Sequence, residues 1–195
     1  MKATRLHIRQ LRRSLDPRTQ REHSVALARN LKRTPEFTRS RRIAFYIAAD
    51  GEINPAPLLR IALEHGKRCF LPVLRRSHLN HLWFIEYRAN DILRPNRFGI
   101  PEPDIRHRIL TKPWSLDLML TPLVAFDDAC HRIGMGGGYY DRTLSYLHHR
   151  HCWRKPMLIG LAHECQHIRF IEQHPWDIRM NIIATEHRIH RCTQG

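Results

Sequence analysis

The spacing of apolar residues changes several times along this chain, and each change marks an element. Residues 5–15 set Leu6, Leu11 and Leu15 among Arg5, Arg9, Arg12 and Arg13, which predicts a basic helix. Asp16-Pro17 supplies an N-cap and a first-turn proline, opening a second helix that runs to about residue 32. Residues 43–49 are apolar and rich in strand formers, and Asp50-Gly51 closes them. A helix over 57–65 ends at Gly66, a suitable cap. Strands are predicted at 68–74 and 81–87. Residues 117–126 carry a nearly continuous apolar run, which suits a strand covered on both faces. Residues 139–150 read as helix, and 157–162 and 180–184 as two further strands.

Strands alternating with helices predict an α/β fold: a single open, mostly parallel sheet with helices on both faces, in a Rossmann-like three-layer arrangement. The proline-rich stretch 94–103 reads as a loop between halves of one domain that spans 1–195. Open sheets of this kind bind ligands at the carboxyl ends of their strands.

Charge narrows the partners. The 195 residues hold 33 Lys and Arg against 18 Asp and Glu, a net charge of +15 with histidine neutral. This favours anionic ligands, although a solvated basic surface explains the same numbers. No run reaches the ~18 apolar residues of a membrane span, and the N-terminal residues lack the apolar core of a secretory signal. Five cysteines with no C-x-x-C pair argue against a disulfide framework and for a reducing cytoplasm.

The most informative segment is Arg132-Ile133-Gly134-Met135-Gly136-Gly137-Gly138-Tyr139-Tyr140-Asp141. Its glycines follow a predicted buried strand and precede a predicted helix, so successive N–H groups can form a concavity for an anion such as a triphosphate. Arg132 adds a full charge at the edge. The run fits neither G-x-x-x-x-G-K-[ST] nor G-x-G-x-x-G, because Tyr139 stands where the last glycine of the second pattern would be. A tight turn with two packing tyrosines is the plain alternative. Asp141 reads either as a favourable charge at a helix start or as a magnesium ligand.

Phe126-Asp127, followed five residues on by the segment from Arg132 to Arg142, resembles the signature of the 5-formyltetrahydrofolate cyclo-ligase (methenyltetrahydrofolate synthetase) family. The resemblance extends through Tyr46 with Gly51-Glu52-Ile53-Asn54, Leu71-Pro72-Val73, Phe98-Gly99-Ile100-Pro101-Glu102-Pro103, Thr121-Pro122-Leu123-Val124-Ala125, Ile159-Gly160-Leu161-Ala162 and Thr185-Glu186. It implies ATP-dependent conversion of 5-formyltetrahydrofolate to 5,10-methenyltetrahydrofolate with release of ADP and phosphate. It further implies ATP and Mg2+ as cofactors, with Lys2, Arg5, Arg132 and residues 134–140 on ATP. Ile47, Glu52 and Phe98, with residues 135–139, would contact the folate. Arg132, Tyr139 and Tyr140 would act in catalysis, and Asp141 would meet the metal. A cytoplasmic monomer is expected, with small-molecule partners, including polyglutamated folate, and neither membrane nor nucleic acid. Three departures stand out: Cys130 where the family often has glycine, an N-terminal lysine (Lys2) out of clean register, and Asn181 where some members carry a second metal-linked carboxylate.

Competing signals are weaker. His163-Glu164-Cys165-Gln166-His167 spells H-E-x-x-H, a zinc-hydrolase pattern that needs both histidines on one helical face. It follows a strand-like run instead. His148, His149, His151 and Cys152 read as a solvated helix end. A nucleic-acid-binding module would draw on the basic N-terminal helix and four tryptophans, but no named motif supports it.

Overall fold

The computed structural model describes residues 1–74, 81–89, 91–106, 108–149 and 155–192. His151 and Cys152, of the predicted solvated helix end, lie outside the described residues.

Helix α1 (Lys2–Arg13) and helix α2 (Pro17–Leu31) occupy the predicted spans, and the Asp16 side chain accepts from the N–H groups of Arg18 and Thr19. A short α3 (Pro35–Arg39), which the residue pattern did not announce, leads into β1 (Arg42–Ala44). Then come α4 (Ala56–Glu64), β2 (Arg68–Leu74) and β3 (Leu82–Tyr87). The stretch expected to be a loop is a small hairpin, β4 (Leu93–Pro95) and β5 (Pro101–Pro103). Asn96 turns it by accepting from the N–H groups of Phe98 and Ile100, and Gly99 takes φ 73°. Beyond lie β6 (Leu118–Pro122), the pair β7 (Ala125–Phe126) and β8 (Arg132–Ile133), α5 (Tyr139–Leu144), β9 (Met157–Leu161), β10 (Ile182–Ala184) and β11 (Ile189–Arg191).

The main sheet runs β11-β10-β9-β6-β1-β2-β3. Its five central strands are parallel, and β3 and β11 join antiparallel at the edges. The predicted α/β class therefore holds. One face packs Ile43, Leu71, Leu118 and Ile159 against Leu27, Leu31, Phe37 and Leu58 of α2, α3 and α4. The other packs Phe70, Phe84, Met119 and Ile183 against Leu144 of α5 and Met180.

Three segments depart from expectation, and in the first two polar groups outside the sheet capture the backbone. The strand predicted at 43–49 stops pairing at Ala44, because the chain turns away to Asp50, which three arginines hold. The run 117–126 breaks after Pro122, where Gln166 donates to the carbonyls of Leu123 and Val124. The helix predicted over 139–150 is α-helical only to Leu144, then tightens to a 3-10 turn through His149. The cysteine reading also needs correction. Cys130 and Cys192 are joined as a disulfide, with Cα atoms 5.9 Å apart across 62 residues. The β10–β11 hairpin brings them together, which spacing along the chain does not reveal.

Candidate active site at the carboxyl ends of β1 and β6

From β1 the chain travels through α4 to β2 on one side, then returns to place β6 on the other side of β1. The two neighbouring strands thus have connections that diverge, which opens a crevice at their carboxyl ends. Both predicted ligand-binding segments lie there: Glu52 after β1, and the glycine run after β6, beyond the short β7–β8 pair.

The Asp50–Glu52 turn is built from charge. Asp50 takes φ 53° and Gly51 φ 73°, left-handed conformations. The Asp50 carboxylate meets Arg9 at 2.8 Å, Arg12 at 2.9 Å and also Arg13. Although burial opposes it, the arginine hydrogen bonds hold the Asp50 carboxyl below its ordinary range. Arg12 is fully buried and also donates to the carbonyls of Asp50 (2.8 Å) and Leu123 (3.2 Å). It therefore pins α1 across both the β1 and β6 ends.

Glu52 sits 3.9 Å from Arg12 with its side chain only 9% exposed. Burial pushes its carboxyl up to about 7, against the opposing pull of the Ala49 N–H and Arg12. The hydroxyls of Tyr46 and Tyr140 are both raised, first by burial and then by the Glu52 charge. Tyr46 donates to the Ile53 carbonyl at 2.5 Å, which fastens the turn.

In the glycine run, Gly136 takes φ 96° and Gly138 φ 63°, so side chains there would be strained. Arg5 donates to the Gly134 carbonyl at 2.9 Å, and Arg12 approaches the Met135 sulfur at 3.7 Å. Lys2 is exposed on the first turn of α1, three residues before Arg5. Arg132 is buried, contacts Asp141 at 2.5 Å, and donates to the Ile178 carbonyl. Oδ1 of Asp141 also faces the Ile178 N–H at 3.4 Å. Because α5 has only six residues, its dipole adds little, and the positive field comes chiefly from arginines.

Phe98, on the β4–β5 turn, meets the Tyr139 ring edge-on at 6.1 Å. Arg97 donates to the Tyr139 hydroxyl, and Arg142 donates to the Gly137 carbonyl. The Glu102 carboxylate accepts from the Leu74 N–H at 3.1 Å and so docks this hairpin on β2. Ile47 is partly buried against the α2–α4 core, between β1 and Glu52. Contacts thus link Arg5 and Arg12 to the glycine run, Arg12 to Glu52, Arg132 to Asp141 and Phe98 to Tyr139, and the Glu52 charge acts on Tyr140. Sequence reasoning did not single out Arg12 and Arg97. Among the arginines of 5–13, only tertiary burial distinguishes Arg12, whereas Arg97 could have been noticed beside Phe98.

Two of the three departures take a definite place in the structure. Cys130 takes φ 60°, a left-handed conformation that glycine adopts without strain. Asn181 instead serves the sheet, its side chain accepting from the Leu158 N–H at 2.8 Å. Asp141 is therefore the carboxylate of the glycine segment that could meet a metal, and its side chain is 27% exposed. Mg2+ keeps most of its water and takes one or two carboxylates with phosphates, so this single group fits it.

The H-E-x-x-H residues do not share a helical face. Glu164–Gln166 form one 3-10 turn, His163 faces His23, and His167 packs on Phe126.

A crevice at a sheet switch point, lined with glycine backbone, arginines and one buried carboxyl, defines an α/β enzyme for anionic substrates. Comparison with known proteins gives the family. The 5-formyltetrahydrofolate cyclo-ligase family model matches residues 1–186, and the chain belongs to that family. It is 36% identical over 182 residues to the 5-formyltetrahydrofolate cyclo-ligase of Escherichia coli K12, covering 93% of this chain and 98% of that protein. The Haemophilus influenzae protein of the same name is 33% identical over 176 residues, covering 89% of this chain and 91% of that one. The NMR structure of Aquifex aeolicus 5,10-methenyltetrahydrofolate synthetase superposes with a TM-score of 0.83 at 29% identity, over 100% of this chain and 93% of that one. The chain is accordingly a ligase whose activity is the ATP-dependent cyclisation of 5-formyltetrahydrofolate.

Proposed function

We propose that the crevice between the Glu52 turn and the glycine run holds 5-formyltetrahydrofolate and ATP together and joins them by phosphoryl transfer. The observation that carries this assignment is the convergence of Arg5, Arg132 and the glycine backbone on one side of the crevice, and buried Glu52 with Tyr46 and Tyr140 on the other.

The formamide oxygen is a poor leaving group. Attack of that oxygen on the γ-phosphorus breaks the bond to ADP and makes an iminium-like phosphate ester. The folate nitrogen at position 10 then attacks the formyl carbon, loses its proton, and expels phosphate to close the ring. No protein nucleophile is required. The chain's part is to align the formyl oxygen with the γ-phosphorus and to neutralise developing charge.

In this reading Arg5, Arg132 and the N–H groups of residues 134–140 hold the triphosphate, with Lys2 at its outer end. Arg132 would exchange part of its contact with Asp141 for phosphate oxygen. Asp141 would hold Mg2+, which supplies positive charge to the triphosphate when bound. Tyr139 and Tyr140, with Arg97 and Phe98 above Tyr139, would shape the formyl end of the pocket. Glu52 would accept or share a hydrogen bond with the folate ring, and Ile47 and Met135 would border it. A monomer is the working unit in this reading. A cytoplasmic location and polyglutamated folates as substrates suit the basic surface.

The test is turnover followed by methenyl-folate absorbance with ATP and Mg2+. Arg132→Ala should lower kcat at least ~100-fold, the usual cost of a lost transition-state charge contact. It should also lower stability, since the Ile178 carbonyl loses its guanidinium donor and Asp141 its ion pair. Activity within about threefold of wild type would remove Arg132 from the phosphate site.

A further inference from the structure

We propose that His23, His163 and Glu186 form a binding site for Zn2+ or a divalent ion of similar ligand preference, separate from the Mg2+ position at Asp141. The three residues come from different elements: His23 from α2, His163 from just beyond β9, and Glu186 from just beyond β10. The Nδ1 atoms of His23 and His163 are 3.0 Å apart, and His23 Nδ1 lies 3.3 Å from Glu186 Oε1. All three ligand atoms fall within 4.8 Å of one another.

Zinc bonds to nitrogen and oxygen are about 2.0–2.2 Å, which places tetrahedral ligand atoms about 3.3 Å apart. The two spacings at His23, 3.0 and 3.3 Å, are close to that, and the third lies within 4.8 Å, which small side-chain rotations can close. Chemistry agrees with geometry. Two imidazole nitrogens facing each other can share one hydrogen, and that hydrogen cannot also satisfy the carboxylate. A cation satisfies all three lone pairs at once. Two nitrogens and one carboxylate select zinc, cobalt or nickel over magnesium or calcium.

The surroundings are those of a built site. His163 is fully buried. Both Glu186 oxygens accept from the Glu164 N–H, at 3.0 and 3.2 Å, which fixes the carboxylate. His23 is 23% exposed and gives the ion a route in. His187, with Nε2 3.8 Å from Glu186 Oε1, or water, can supply a fourth ligand. The ion would tie α2 to the ends of β9 and β10. Of the H-E-x-x-H pattern, only His163 takes part.

The test uses metal-stripped full-length protein. Zn2+ is titrated against a chromophoric chelator, melting is followed with and without Zn2+, and the visible spectrum of the Co2+ complex is recorded. Wild type should bind one Zn2+, melt higher with it, and show intense tetrahedral Co2+ bands. The double variant His148→Ala/His149→Ala should behave as wild type, separating this site from adventitious surface histidines. His23→Ala and Glu186→Gln, each checked for folding by circular dichroism, should bind at least about 10-fold more weakly and lose the Co2+ bands. Equal affinity in wild type and either of these two variants, or loss of binding in the surface double variant, would overturn the proposal. These readouts are independent of turnover, so they stand or fall apart from the catalytic assignment.

Discussion

Burial holds the Glu52 carboxyl up to about 7, so near neutral pH it is divided between charged and neutral forms. This has a consequence for stability whose sign is fixed by linkage. Below pH 4.5 the folded and unfolded chains both keep the proton. Between there and about 7 only the folded chain keeps it, so stability falls as pH rises. The full difference is on the order of 3 kcal/mol, and Glu52→Gln should abolish that part of the slope. Urea unfolding of both proteins at pH 5 to 8 checks it, and parallel curves would contradict it. The same substitution should raise KM for the folate more than KM for ATP, because Glu52 belongs to the proposed folate end and Arg5 and Arg132 to the proposed phosphate end.

At the scale of elements, α1 depends on Arg12. Its guanidinium joins the Asp50 turn, the Leu123 carbonyl and the neighbourhood of Glu52, so α1 docks across the ends of β1 and β6. Arg12→Met should cost about 2–4 kcal/mol, since Asp50 keeps Arg9 and Arg13 but two carbonyls lose their donor and Glu52 its neighbouring positive charge. It should also raise KM for ATP, because Arg5 rides on the same helix; thermal melts and initial rates measure both. In β9, a Cβ at Gly160 would lie 2.6 Å from Ile183 Cδ1 and 2.7 Å from Leu123 Cδ2, both buried. Gly160→Ala should therefore cost about 1–3 kcal/mol by overpacking, read as a lower urea midpoint with an unchanged slope.

Across the whole molecule, the net charge of +15 meets two anionic substrates. Raising ionic strength should therefore raise KM for ATP and for folate while changing kcat little, because long-range attraction is screened beyond about 10 Å at 0.1 M salt and the phosphate contacts themselves are shorter. A flat response of both KM values to salt would show that the surface charge plays no part in capture.

Much of this protein was legible along the chain, because local pattern carries it. Helix α2 follows from Asp16-Pro17, and β2 and β9 follow from apolar runs of strand formers. The glycine run with Arg132 and Asp141 suggested the phosphate side proposed above, and the ordered matches through Glu52 and Phe98 suggested the proposed folate side. What stayed hidden depends on contacts between distant segments. Nothing in the spacing of Arg9, Arg12 and Arg13 says that they close on Asp50, or that Gln166 takes the carbonyls that end the strand after Pro122. The pairing of Cys130 with Cys192 and the meeting of His23, His163 and Glu186 likewise require the sheet order. Local propensity and hydrophobic period chose the elements. Only the packed sheet, by bringing the carboxyl ends of β1 and β6 side by side, decided which charges face one another.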